Sequence, residues 1–206
     1  MLSIYLGPMY AGKTSKLMEM FKSNDDIKKI IMDYDVSPKC YEGFLKNHID
    51  EVLPSIKCNN LYDTLSIYKR RDNLALTHDL VSVYDTTITP SLHPELYKIH
   101  DHIQFSNSIY INEAQFFPDL YPFVLDMVSQ QKHVYLYGLD GDFEQKKMGS
   151  LLDLVPYCDT VCKLHSVCRT CNEPAIFSKR ITDSKEQYLP DENAYKPLCR
   201  NCFHIV

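Results

Sequence analysis

The sequence predicts an α/β protein in two parts: a P-loop domain whose parallel sheet is flanked by helices, and a small C-terminal β domain built on metal-binding knuckles. Three observations predict it. Residues 7–14 read Gly-Pro-Met-Tyr-Ala-Gly-Lys-Thr between a strand pattern and a helix pattern. Strand and helix patterns alternate from Ile109 to Tyr157, which implies parallel strands joined by crossover helices. Two C-x-x-C pairs, Cys168/Cys171 and Cys199/Cys202, lie near the end of the chain. The expected division is residues 1–160 for the nucleotide-binding part and 161–206 for the metal-binding part.

Leu2, Ile4 and Leu6 alternate with Ser3 and Tyr5, the period of a strand. Leu17, Met18, Met20 and Phe21 recur at helical spacing after Thr14. The intervening loop satisfies G-x-x-x-x-G-K-[ST] in the strand–turn–helix context the motif requires. At such a helix N-terminus, free backbone N–H groups and the positive dipole end favour phosphate. Gly7 and Gly12 let the backbone approach closely, and Pro8, Met9, Tyr10 and Ala11 complete the loop. Lys13 would reach the β- and γ-phosphates and the Thr14 hydroxyl would bind Mg²⁺, so ATP and Mg²⁺ are the expected ligands.

Ile27 to Asp35 reads as a second buried strand. From Val36 to about Phe105, prolines, polar residues and short apolar runs give no clear order of elements. Ile109 to Ile111 is a strand ending in polar residues, and Leu120 to Gln130 reads as a helix with Pro122 in its first turn. Lys132 to Phe143 is a strand closing on a glycine-rich turn, and Gly149 to Cys158 suggests a short helix. Ligands of parallel sheets bind at the carboxyl ends of the strands, where Gly7, Glu113 and Asp140 would lie.

Bulk properties narrow the classes. The chain has 206 residues, and 45% are apolar, an ordinary globular composition. No run of eighteen apolar residues suggests a membrane span, and no basic segment ahead of an apolar one suggests a secretory signal. A net charge of −5 argues against a nucleic-acid surface. Eight cysteines without a signal fit a reducing compartment, hence a cytoplasmic location, where clustered cysteines bind metal more often than they form disulfides.

Twenty-seven residues separate Cys171 from Cys199, room for a β-hairpin and a loop. Cys168, Cys171, Cys199 and Cys202 suit a closed, structural Zn²⁺ site of four thiolates. Cys40, Cys58, Cys158 and Cys162 have no such pattern and read as core thiols. The histidines show no ligand spacing, and only His204 could substitute as a zinc ligand. Glu113, at the end of a strand, can accept a proton from a hydroxyl nucleophile, with Phe116 and Phe117 as an aromatic wall beside it.

Four blocks, "GPMYAGKT", "NEAQFFPDL", "GLDGDFEQKKMG" and the tail from "VCKLHSVCRTC" to "AYKPLCRNCF", together resemble the type II thymidine kinases. The resemblance implies ATP-dependent phosphorylation of the thymidine 5′-hydroxyl, with deoxyuridine as a credible second substrate. It also implies a RecA-like domain, a zinc domain whose lasso loop closes over the base, and a homotetramer. By position, Glu113 is the general base and Gly7 to Thr14 hold the ATP phosphates. Met9, Phe116, Leu139, Phe143, Ser178 and Tyr195 contact the nucleoside, and Glu186, Gln187, Tyr188, Leu189 and Pro190 form the lasso segment.

The match departs at three places. Asn112 stands where the family has a Mg²⁺-associated aspartate, and Mg²⁺ prefers carboxylate and phosphate oxygens. Arg70, seven residues before Thr77, fits the family's phosphate-stabilising arginine, with Arg71 as a near competitor, but only after an apparent insertion around residues 35–68. The lasso carries Pro190 and Asp191 where the family has a glycine pair, and proline removes a donor and fixes φ. Two other readings remain: a P-loop ATPase whose zinc ribbon grips nucleic acid, and a weakly active nucleotide-binding paralogue.

Overall fold

A computed structural model describes residues 1–37, 41–65 and 106–205. Its centre is a seven-stranded sheet in the order β3-β4-β2-β5-β6-β1-β7. The strands are β1 (Leu2–Leu6), β2 (Lys29–Tyr34), β3 (Tyr41–Lys46), β4 (Val52–Cys58), β5 (Ser108–Asn112), β6 (His133–Gly138) and β7 (Thr160–Lys163). All neighbours run parallel except β3, which pairs antiparallel with β4 at one edge. The expected parallel sheet flanked by helices is therefore present, with one reversed edge strand.

Both faces of the sheet are covered, and period-two alternation decides what each face meets. Ile109, Ile111, Val134 and Leu136 pack with Leu120, Phe123, Val124 and Met127 of helix α2 (Leu120–Ser129). The intervening Tyr110, Tyr135 and Tyr137 face the other way and pack with Leu17 and Met18 of helix α1 (Lys13–Ser23). There the rings stack, Tyr5 on Tyr137 at 4.7 Å and Tyr110 on Tyr135 at 4.5 Å between centroids. Burial pushes the Tyr110 hydroxyl up to about 12, so it stays neutral and accepts a hydrogen bond from Asn24 Nδ2 at 2.9 Å.

The stretch from residue 35 onward contributes to the sheet as far as it is described. Asn47 closes the β3–β4 turn by accepting from the backbone N–H groups of Ile49 and Glu51. The part of the apparent insertion that is described thus supplies β3 and β4. Cys40, Arg70, Arg71 and Thr77 lie outside the described residues. The short helix expected within Gly149 to Cys158 is a 3₁₀ helix over Leu151–Tyr157, with Pro156 inside it. Proline lacks the donor an α-helical turn would use there.

β7 pairs with β1, so the large sheet continues past the expected boundary at residue 160. Beyond it lie two small hairpins, β8 (Ser166–Val167) with β9 (Pro174–Ala175), and β10 (Phe177–Arg180) with β11 (Tyr195–Leu198). A short helix, α3 (Arg200–Ile205), follows. Their core is Cys168, Ala175, Leu198, Cys199 and Cys202, with Phe203 against it. Cys58 is buried, as a core thiol should be, whereas Cys158 and Cys162 are half-buried. No helix among the described residues is long and apolar enough to cross a membrane.

The α2 face carries much of the packing. Phe123 is fully buried there, so Phe123→Ala should cost about 3–5 kcal/mol. A denaturant titration should show a lower midpoint with an unchanged slope.

Candidate active site

The loop between β1 and α1 is shaped by its glycines. A Cβ on Gly7 would lie 2.6 Å from the Leu164 carbonyl oxygen, so only glycine fits where the chain leaving β7 crosses the loop. Gly12 adopts φ 74°, a left-handed conformation, immediately before α1. Lys13 Nζ donates to the carbonyls of Gly7 and Pro8 at 3.2 and 2.8 Å. Burial pushes its pKa down, and the carboxylates of Glu113 and Asp140 pull it back toward the charged form.

Glu113 follows β5 with φ 51° and ψ 40°. A left-handed non-glycine residue is uncommon, and such strain clusters at functional sites. The conformation lets the chain turn into a 3₁₀ helix over Ala114–Phe116. Glu113 Oε2 accepts from Gln115 Nε2 at 2.7 Å. Gln115 also accepts the Leu139 N–H at 3.0 Å, linking the ends of β5 and β6.

These ends open on a cleft of about 390 Å³. Met9 through Thr14 form one side, and Asn112, Glu113, Phe116 and Leu139 form the floor. The predicted phosphate loop and the predicted base therefore share one cavity. Tyr188 reaches in from the loop between β10 and β11, its ring 4.5 Å from that of Phe116. A small adjoining cavity is bounded by Phe143, Ser178, Gln187 and Tyr195, and it shares Met9, Leu139 and Tyr188 with the first. Ser178 also accepts the Met9 N–H at 2.9 Å, tying the cysteine-bearing lobe to the phosphate loop. Glu186, Leu189 and Pro190 line neither cavity.

The sulfurs of Cys168, Cys171, Cys199 and Cys202 all lie within 4.8 Å of one another, with Cys171 and Cys199 3.6 Å apart. Tetrahedral zinc–thiolate bonds of about 2.3 Å put sulfurs about 3.8 Å apart, so the set fits Zn²⁺. Burial raises the Cys168 thiol, but N–H groups of Cys199, Thr170 and Cys171 outweigh it and bring the pKa to about 6. Cys171 and Cys199 push Cys202 up to about 12. Four sulfurs this close do not all ionise without a cation between them. His204 is not part of the cluster.

The family model for thymidine kinase matches residues 57–203. The chain belongs to the thymidine kinase family. It is 30% identical to the thymidine kinase of sheeppox virus, over 99% of this chain and 97% of that one. It is 27% identical to thymidine kinase 1 of Dictyostelium discoideum, over 98% of this chain and 77% of that one. The cytosolic thymidine kinase of Bos taurus is 26% identical, over 98% and 71%.

Several thymidine kinase residues that sequence reasoning missed stand at this site. Lys46, Asn47 and His48, at the β3–β4 turn, line the cleft with Tyr10, whose ring is 6.1 Å from His48. The longest reach belongs to Arg180, at the end of β10. Its guanidinium donates to the carbonyls of Ser184, Glu186 and Gln187 and to the Tyr195 hydroxyl. It also stacks 3.9 Å from the Phe143 centroid. The Tyr195 hydroxyl accepts the Leu189 N–H at 2.9 Å, and Gln187 Nε2 donates to Asp142 at 2.9 Å. The lasso segment is thus held by its own hairpin, with Glu186, Gln187 and Leu189 using backbone groups on it. The spacing of a buried arginine from three loop carbonyls and a strand tyrosine has no signature in sequence.

Bonds to a charged donor are worth about 1.5–3 kcal/mol. Arg180→Ala should therefore raise amide hydrogen exchange across residues 184–190 about tenfold to a hundredfold. Exchange around the four cysteines should be unchanged.

Proposed function

We propose that this thymidine kinase transfers the γ-phosphoryl group of ATP to the 5′-hydroxyl of thymidine, with deoxyuridine as a second substrate. One observation carries the reading: Glu113, on its left-handed backbone, and the glycine loop before α1 open on the same cleft, which Tyr188 also lines. The loop N–H groups and Lys13 bind the triphosphate. Glu113 takes the hydroxyl proton as the new oxygen–phosphorus bond forms and ADP leaves with the electrons of the broken one. Phe116, Leu139 and Tyr188 exclude water around the nucleoside, and Phe143, Ser178 and Tyr195 wall the adjoining space.

Thr14 and Asn112 both line the cleft and offer hard oxygens, which suits Mg²⁺; when bound it would supply charge to the phosphates. Zn²⁺ at Cys168, Cys171, Cys199 and Cys202 has a structural role, anchoring the hairpin that carries the lasso. The acidic balance, a net charge of −5, favours small-molecule substrates over nucleic acid. A homotetramer in the cytoplasm, working in nucleoside salvage, completes the proposal by family analogy.

One assay separates the alternatives: labelled ATP offered with each deoxynucleoside and with single-stranded DNA. Label should pass to thymidine, and more weakly to deoxyuridine. ATP hydrolysis stimulated by DNA without nucleoside product would overturn the reading in favour of an ATPase. Binding without turnover would indicate the weakened paralogue. Glu113→Gln should lower kcat by about 10²–10⁴ and leave ATP affinity unchanged in calorimetry. Metal analysis should find one zinc per chain, and its removal by a chelator should abolish nucleoside binding.

A further inference from the structure

β4, β2 and β5 end side by side, and their registers align Lys57 with Asp33 and Asp33 with Asn112. The three side chains form a row at these strand ends, and all three line the cleft. Asp33 divides its oxygens between its neighbours. Oδ2 takes the Lys57 ammonium, and Oδ1 accepts from Asn112 Nδ2 at 2.8 Å. Asp33 and Asn112 are both buried.

An asparagine amide has a donating and an accepting end, and a carboxylate can only accept. Asp33 therefore fixes which way Asn112 faces. With Nδ2 committed to Asp33, the Asn112 carbonyl oxygen is the end left to serve a ligand. The carboxylate also polarises the amide and makes that oxygen more negative. Lys57 neutralises Asp33, which allows the carboxylate to be buried without a second negative group at position 112.

We propose that Asp33 is the positioning residue that turns Asn112 into a Mg²⁺ ligand, directly or through water, and so replaces the carboxylate missing at residue 112. This rests on the kinase reading given above. Partners one shell out from a metal commonly change its affinity by 10–100-fold when altered. The isosteric change Asp33→Asn makes the test sharp. The charged Lys57 claims the single oxygen of the introduced amide, so the nitrogen of that amide faces Asn112. Asn112 must then turn its own oxygen toward this nitrogen, away from the metal. In the exchange Asp33→Asn/Asn112→Asp, the carboxylate now at position 112 accepts from the amide at position 33 with one oxygen and presents the other to the metal.

The experiment titrates Mn²⁺, read by electron paramagnetic resonance, into the full chain saturated with a non-hydrolysable ATP analogue. Thermal melting checks the fold of each variant. Asp33→Asn should bind Mn²⁺ about tenfold or more weakly, and the exchange variant should return to wild-type affinity or better. Unchanged affinity in a folded Asp33→Asn protein would overturn the proposal, as would an exchange variant no tighter than Asp33→Asn. If the single variant fails to fold, the exchange variant decides against wild type: equal or tighter binding supports the proposal, and tenfold weaker binding overturns it. A wild-type chain with no ATP-dependent Mn²⁺ site would instead refute the kinase reading itself.

Discussion

Parallel pairing of β2, β5, β6 and β1 is the constraint on which the site depends. Parallel strands all finish at one edge, so residues that follow them in distant parts of the chain are brought together there. Asp33, Asn112, Glu113, Leu139 and Gly7 are scattered over more than a hundred residues of sequence and meet at that edge because their strands are neighbours. The pairing holds because both faces are dry. Aliphatic side chains meet α2 on one face, and a stack of tyrosines meets α1 on the other. A one-residue slip of β5 would exchange Tyr110 with Ile109 and Ile111 and aim Glu113 away from the cleft.

The second lobe brings no strand to this edge, so it must be fastened differently. Three contacts do this. Ser178 takes a loop N–H from Met9, Gln187 reaches Asp142 after β6, and Arg180 stacks on Phe143 in the same turn. Asp142 is itself knotted by N–H groups of Glu144 and Lys146, so the lasso is tied to a turn that is already rigid. The cysteine cluster lies at the far end of the same hairpins. Metal there would stiffen β10 and β11, and through Arg180 and Tyr195 the loop between them.

What was legible in the sequence had a local cause. Gly7 to Thr14 must be contiguous to wrap a phosphate, and cysteines three positions apart must be close to share an ion, so both patterns survive as letters. The strands from Leu2, Ile109 and His133 were legible because each is a short apolar run bounded by turns. β4 was not, since Pro54 interrupts it. Pro54 is tolerated because β2 pairs only with Ile56–Cys58, leaving the proline opposite β3 alone. No local pattern singles out Asp33 within the strand expected from Ile27 to Asp35, or Lys57 in the stretch without a clear order of elements. Their roles come from cross-strand registers, which periodicity does not encode. Arg180 was hidden for a similar reason, because three of its hydrogen-bond acceptors are backbone carbonyls that any residues could supply.

The same logic bears on a lasso that has Pro190 in place of a flexible pair of glycines. A glycine-rich loop must lose much conformational freedom each time it closes on a ligand. Here Arg180, Tyr195 and Asp142 already occupy the backbone at Glu186, Gln187 and Leu189 and the Gln187 side chain. Proline costs no further freedom in such a loop, provided its φ suits the path. Order is supplied from beneath by the hairpin, and Tyr188 remains turned toward the cleft against Phe116. An aromatic ring stacks on a flat partner without demanding particular hydrogen bonds. A loop held in this way closes the cleft through shape and stacking, and under the proposed function discrimination among pyrimidines would fall to the fit of the base between Phe116, Leu139 and Tyr188.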